Sequence, residues 1–217
     1  VDLSTTTPTT AEEVFPAAVD ICALPTRGDP DPFVTQLDTL DPDIVFTDSY
    51  PVDTNYQRAI RDRVPLAVLQ DDARHAVCAD LFVNGNLYAP DLQYEFLGEP
   101  PETCLGTEYA LLRREIREQA AIEPPWRQQP EHAIIMMGGS DIGGLTPTVV
   151  RAFDGFDLRA DAIVGPGCSP SQKQAVQTAA AQTDADIRIA QDPGDLVDRL
   201  LAADTAGPAA STTTFAL

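Results

Sequence analysis

Short apolar runs alternate with helical patterns along this chain. Val19-Asp20-Ile21-Cys22-Ala23-Leu24 reads as a strand, and Pro32 to Leu40 as a helix with Phe33, Leu37 and Leu40 on one face. Asp43-Ile44-Val45-Phe46-Thr47-Asp48 follows as a buried strand. Asp53 to Arg63 is predicted as a helix, opened by an acid near its N-terminus. Pro65 to Gln70 and Asp80 to Asn84 are further strands. A β-α-β-α-β order of this kind predicts a mostly parallel sheet covered by helices on both faces, with right-handed crossovers.

From Gly98 to Gln129 the character changes. Glu99-Pro100-Pro101 precedes a helix-like stretch from Glu108 to Ala121, and Pro124-Pro125-Trp126 closes it. The pattern then restarts. Strands are expected at His132–Met137, Asp161–Gly165 and Asp186–Ile189, with helices at about 147–153, 171–182 and 195–203. Asp204 to Leu217 begins a further unit and stops. The expected organisation is an N-terminal Rossmann-like domain over 1–97, a linker over 98–129 and a partial C-terminal domain over 130–217. In such sheets ligands bind beyond the carboxyl ends of the strands.

Charge changes this picture most. Thirty-four carboxylates oppose 14 basic residues, for a net charge of −20, and Lys173 is the one lysine. The acids are scattered rather than gathered in a tail. That favours adaptation to high salt, where carboxylates keep the surface hydrated and ions screen their repulsion, over an acidic surface for basic partners. Nucleic-acid binding is disfavoured because phosphates need a basic stripe. With 43% hydrophobic and 22% charged residues the composition is globular. No apolar run is long enough to span a membrane. The first residues, Val1 to Thr6, lack the basic region of a signal peptide, so a cytoplasmic location is expected. Cys22, Cys78, Cys104 and Cys168 are far apart in sequence and read as reduced, small apolar residues rather than metal ligands.

Three segments carry candidate chemistry, each at the end of a predicted strand. Met137-Gly138-Gly139-Ser140-Asp141-Ile142-Gly143-Gly144-Leu145-Thr146-Pro147 lies between a strand and a helix. Glycines admit an anion close to the backbone, and a helix N-terminus offers free N–H groups, so a diphosphate can be held without lysine. The spacing matches neither a P-loop nor the dinucleotide fingerprint, and the plain alternative is a flexible turn. Gln70-Asp71-Asp72-Ala73-Arg74-His75 offers paired carboxylates for acid–base work or sugar binding, against the alternative of a solvated, capping loop. Asn84-Gly85-Asn86-Leu87-Tyr88 offers amides and a phenol to sugar hydroxyls, against the alternative of Asn-Gly turn chemistry. His132, at a strand start, reads as structural. Ser211-Thr212-Thr213-Thr214 reads either as a phosphate contact or as an N-cap run.

Taken together, Gln70-Asp71-Asp72, the run Ala79 to Ala89, Leu105-Gly106-Thr107-Glu108-Tyr109-Ala110-Leu111-Leu112-Arg113 and Met137-Gly138-Gly139-Ser140-Asp141 resemble the PseG/SpsG-like UDP-sugar hydrolases of pseudaminic acid biosynthesis. The resemblance covers most of the chain. It implies an α/β fold of GT-B type, with two Rossmann-like domains whose parallel sheets face a cleft. It also implies a cytoplasmic enzyme in which water displaces UDP from a 2,4-diacetamido-2,4,6-trideoxyhexose, with no metal or cofactor. Asp71, Asp72, Asn84, Asn86 and Tyr88 would then contact the sugar. Gly138, Gly139, Ser140, Asp141, Thr212 and Thr213 would contact UDP.

The chain also departs from that family. It starts at what reads as the second strand, so the G-x-G-H-x-x-R loop that supplies the catalytic histidine has no counterpart, and His75 does not replace it. Ala216 stands at the glutamate of the late motif, Gly144 stands where asparagine is frequent, and the remaining UDP domain would lie beyond Leu217. The chain alone is therefore expected to be truncated at both ends and weak or inactive as a hydrolase. A glycosyltransferase of the same fold and a non-catalytic nucleotide-sugar-binding remnant are the alternatives.

A surface built for brine has a direct signature. Between about 0.1 M and about 1 M KCl the screening length falls from about 10 Å to about 3 Å. The thermal midpoint followed by circular dichroism should rise over that interval; a falling midpoint would remove the halophilic reading.

Overall fold

The computed structural model describes residues 19–26, 28–123 and 126–208. The Ser211–Thr214 cluster, with Thr212 and Thr213, lies outside them. The chain divides after Leu111 into two compact α/β units, each holding a four-stranded, all-parallel sheet.

In the first unit the order is α1 (Pro30–Leu40), β1 (Val45–Asp48), α2 (Thr54–Arg61), β2 (Leu66–Leu69), β3 (Leu81–Asn84) and β4 (Glu102–Leu105). The strands lie side by side in sequence order. Asp29 and Asp53 open the two helices: their carboxylates accept the N–H of Asp31 (3.1 Å) and of Tyr56 (3.0 Å). One face of α2 buries Tyr56, Gln57 and Ile60. These pack with Leu37, Val45, Leu66, Val68, Val77 and Phe82 into a single cluster, edged by Phe33, Tyr94, Phe96 and Leu105. Gln57 is fully buried, yet both ends of its amide are engaged, by Cys78 N–H (2.8 Å) and by the carbonyl of Val52 (3.1 Å). Asp80 ties the strand starts together. Its carboxylate accepts Leu66 N–H at 2.9 Å and Arg61 Nε at 3.1 Å, and its carbonyl accepts Glu102 N–H at 2.9 Å.

The second unit runs α3 (Arg114–Gln119), β5 (His132–Met136), α4 (Thr146–Ala152), β6 (Arg159–Val164), α5 (Pro170–Ala181), β7 (Asp186–Gln191), α6 (Leu196–Ala202) and β8 (Thr205–Pro208). Its sheet order is β7-β6-β5-β8, so β5 and β6 are the inner strands. They read as buried along their lengths, as central parallel strands must. Ala133, Ile135, Ala160, Ala162 and Val164 point to one face, against Val150 of α4 and Val176 and Ala179 of α5. A carboxylate again fixes the sheet's entry. Asp204 accepts the N–H groups of Glu131 (2.9 Å) and His132 (3.0 Å) and the guanidinium of Arg127 (3.2 Å), joining β5 to the start of β8.

Four expectations change. Val19–Leu24 is no strand: its residues have no sheet partner, and Val19 and Cys22 are exposed. The stretch from Gly98 is not connection alone, because Glu102–Leu105 pairs with β3 as a half-exposed edge strand. The helix expected over Glu108–Ala121 is reduced to a 3-10 turn at Thr107–Tyr109, an extended piece and the short α3. Leu111 is 77% exposed, and no residue of α3 is fully buried. Thr205–Pro208 opens no new unit but completes the second sheet beside β5. The cysteines are all free; Cys78 and Cys168 are buried.

The Asp204 clasp is open to test by pH. Backbone N–H groups of Glu131 and His132, with the Arg127 guanidinium, outweigh burial and hold its carboxyl below the usual carboxylate range. A depressed folded-state value gives stability that is present above the unfolded value of about 3.9 and is lost as pH falls through the folded one. Asp204→Asn should lower the thermal midpoint at neutral pH and flatten its decline under acid. Equal acid slopes in both proteins would show that the clasp contributes nothing.

Candidate functional site

Each unit gathers polar groups at the carboxyl edge of its sheet. In the first, the segments leaving β1, β2 and β3 converge. Tyr50, just past β1, donates its phenol to Asp71 Oδ2 at 2.8 Å, and Tyr88, past β3, donates to the Asp71 carbonyl at 3.1 Å. The other Asp71 oxygen, Oδ1, accepts no hydrogen bond among the described residues. Asp72 is occupied differently. It accepts the backbone N–H of Arg74 at 3.0 Å and pairs with its guanidinium, which lies over the Tyr50 ring, 4.9 Å from its centre. Burial pushes the Asp72 carboxyl up, but the bonds to Arg74 outweigh it and hold it below the usual range. The hydrogen bond to Asp71 raises the Tyr50 phenol; burial and the charges of Asp71 and Asp72 raise that of Tyr88. Both phenols are donors at neutral pH, and Asp71 is the open acceptor between them.

Beneath them lies a buried amide chain. Asn84 ends β3 and is 2% exposed. Its Nδ2 donates to Tyr94 Oη (2.9 Å), which donates to the Ala89 carbonyl (3.0 Å). Its Oδ1 accepts both N–H groups of Asn86, from the backbone at 3.1 Å and from the side chain at 2.7 Å. Asn84 is therefore a floor that orients its neighbours, while Asn86, equally buried, keeps an unpartnered Oδ1. Gly85 does not serve as a left-handed turn residue. A Cβ there would meet Ala110 Cα at 2.7 Å, so it is small because the Thr107–Ala110 turn lies against it. His75 is exposed and His132 is buried, its Nε2 3.3 Å from Asp161.

In the second unit, the loops after β5 and β6 interlock. Gly139 carbonyl accepts Gly167 N–H at 2.9 Å, and a Cβ on Gly165 would lie 2.3 Å from that same oxygen. Gln172, on the first turn of α5, donates to the carbonyls of Ser140 (3.0 Å) and Asp141 (2.8 Å) while completing the Ser169 capping box. The expectation that the helix after the glycines offers free N–H groups is corrected here. Asp141, 5% exposed and left-handed at φ 40°, accepts the N–H of Leu145 (2.8 Å) and of Thr146 (3.0 Å) and so fills that position itself. The N–H groups of Gly139 and Ser140 meet no acceptor among the described residues. Among those residues nothing lies within 4 Å of a Cβ at Gly138 or Gly139, and the loop is braced by Gly167 and Gln172.

Sequence reasoning had not singled out Tyr50, Tyr94, Gln172 or the Gly165–Gly167 turn. Tyr50 was within reach, since it follows a strand as Asp71 and Asn84 do; the others depend on contacts far apart in sequence. Among the described residues no three His, Cys, Asp or Glu side chains are placed to hold a metal ion, and no helix is long and apolar enough to cross a membrane.

The sequence matches no protein-family profile and no curated protein. Among solved structures the chain is similar to MurG of Acinetobacter baumannii, with 16% identity and a TM-score of 0.45 over 85% of this chain and 52% of that one. It thus spans about half the length of that protein, and a likeness at this level carries no argument about chemistry.

Close packing at Gly85 makes a firm prediction. Gly85→Ala places a methyl group against the backbone of Ala110 and should cost about 1–3 kcal/mol, the range for overpacking. Urea unfolding that is unchanged would show that the Thr107–Ala110 turn does not rest on β3.

Proposed function

We propose that the chain handles a UDP-sugar: the glycine loop of its second unit suits a diphosphate, and the polar carboxyl edge of its first unit suits sugar hydroxyls. We further propose that the reaction served is hydrolysis of a UDP-2,4-diacetamido-2,4,6-trideoxyhexose within a cytoplasmic, GT-B-type protein. The observation that carries this reading is the pair of N–H groups at Gly139 and Ser140, which meet no acceptor among the described residues, in the loop that follows an inner strand. Fixed backbone donors suit a diphosphate in a chain that has one lysine. The polar edge of the first unit supports the sugar half. Asp71 Oδ1 is free to accept a hydroxyl, and the Tyr50 and Tyr88 phenols fix its carboxylate and backbone in place. Asp72, engaged by Arg74, supports Asp71 rather than sharing its role.

Gly139→Val separates this reading from a plain turn. Its Cβ enters open space and its φ is not left-handed, so the fold should tolerate it. If the loop lies against the diphosphate, calorimetry should show UDP binding to the unaltered chain and a loss of about tenfold or more in the variant, or about 1.4 kcal/mol. Equal binding by both, or none by the unaltered chain, would overturn the assignment.

A further inference from the structure

A second group of charges lies on one face of the second sheet, beside β6 and β7. There the register sets Arg159 opposite Asp186 and Asp161 opposite Arg188, a checkerboard across β6 and β7. Beside it, flanked by α6, runs a groove of about 530 Å³ lined by Arg159, Arg188, Arg199, Asp161, Asp195 and Gln191 among others. Three of the chain's 14 basic residues meet here, in a protein of net charge −20.

The carboxylates lining the groove are engaged through one oxygen each: Asp161 Oδ2 and Asp195 Oδ1 have cationic partners, whereas Asp161 Oδ1 is buried without a hydrogen-bond partner among the described residues. Asp161, 5% exposed, has Arg199 Nη1 and His132 Nε2 each at 3.3 Å, and Asp195 accepts Arg199 Nε at 2.7 Å. Arg159 and Arg188 are paired more loosely. Arg159 reaches Asp161 only at 3.7 Å and Arg188 reaches Asp186 only at 3.6 Å, both beyond hydrogen-bond distance. Neither guanidinium donates a hydrogen bond among the described residues, and Arg159 Nε is buried without a partner. With Arg159 Nε itself buried, the Nη groups of the two guanidiniums, which donate no hydrogen bond among the described residues, are the donors that match an oxyanion accepting several N–H bonds.

We propose that this groove binds a small multivalent oxyanion of the phosphate type through Arg159 and Arg188. The site is separate from the glycine loop: Arg159 opens β6 at its amino end, whereas Gly138–Asp141 follows the carboxyl end of β5. Charge-assisted bonds from each arginine supply the attraction, and the unpartnered Asp161 Oδ1, 3.7 Å from Arg159 Nε, is the charge that opposes it. The competing account makes the checkerboard a cross-strand ion lattice that stabilises the sheet and binds nothing.

Calorimetric titration with inorganic phosphate and with pyrophosphate, at low chloride and with a salt-matched control, decides between them. Saturable binding is expected for the unaltered chain. Arg188→Ala should weaken it by about tenfold or more, the effect of losing one charged donor. That side chain is 63% exposed, so the fold should persist, as far-UV circular dichroism would verify. Arg159→Lys, which keeps the charge and loses the fork, should weaken binding as well; because the glycine loop is itself read as a diphosphate contact, the Arg188→Ala comparison is repeated in a Gly139→Val background, where saturable binding should persist and still fall with Arg188→Ala. Absent saturable binding, undiminished binding by Arg188→Ala, or loss through Gly139→Val alone would each overturn the proposal. The last result would move the phosphate to the glycine loop.

Discussion

Carboxylates that accept backbone N–H groups hold this structure at its joints. All-parallel sheets leave strand and helix ends to be satisfied by something other than hairpins, and an unpaired buried N–H is costly. Here the acceptors are aspartates. Asp29 and Asp53 start helices, Asp80 fastens β2, Asp141 closes the turn into α4 and Asp204 fastens β5. The acidic composition thus has two physical roles: exposed acids hydrate the surface, while these few, at fixed positions beside the sheets, define where elements begin. Asp141 shows the second role most clearly, because its carboxylate takes the Leu145 and Thr146 amides and closes the helix start with a group of the protein's own.

Apolar periodicity located β1, β2, β3, β5, β6 and β7 and the helices beside them, because strands buried on both faces and helices with one buried stripe write their environment into the sequence. It failed where environment and composition part. Glu102–Leu105 and Thr205–Pro208 are four-residue edge strands with exposed positions, and their identity comes from the neighbour they pair with rather than from their own residues. Val19–Leu24 has the opposite character: apolar enough for a strand, but without a partner among the described residues.

The candidate site was legible to the same degree. A rule that looks just past strand ends finds Asp71, Asp72, Asn84, Asn86, Tyr88 and the glycine loop, and it would have found Tyr50 if applied to β1. What it cannot supply is the division of labour. That Asp72 is paired with Arg74, that Asn84 is buried and bonded to Tyr94 and Asn86, and that Gly85 is small because Ala110 lies on it all follow from atoms brought together across the fold.

The near-contact between Gly165 and the carbonyl of Gly139 has a mechanical consequence. With no room for even a methyl group between them, and with Gln172 gripping the next two carbonyls, the turns after β5 and β6 cannot slide past one another. A push delivered at Ser140 travels into α5 as a lever stroke instead of dissipating as local sway. Any rearrangement of this rim must therefore carry the turn and its helix together, as a single stiff piece.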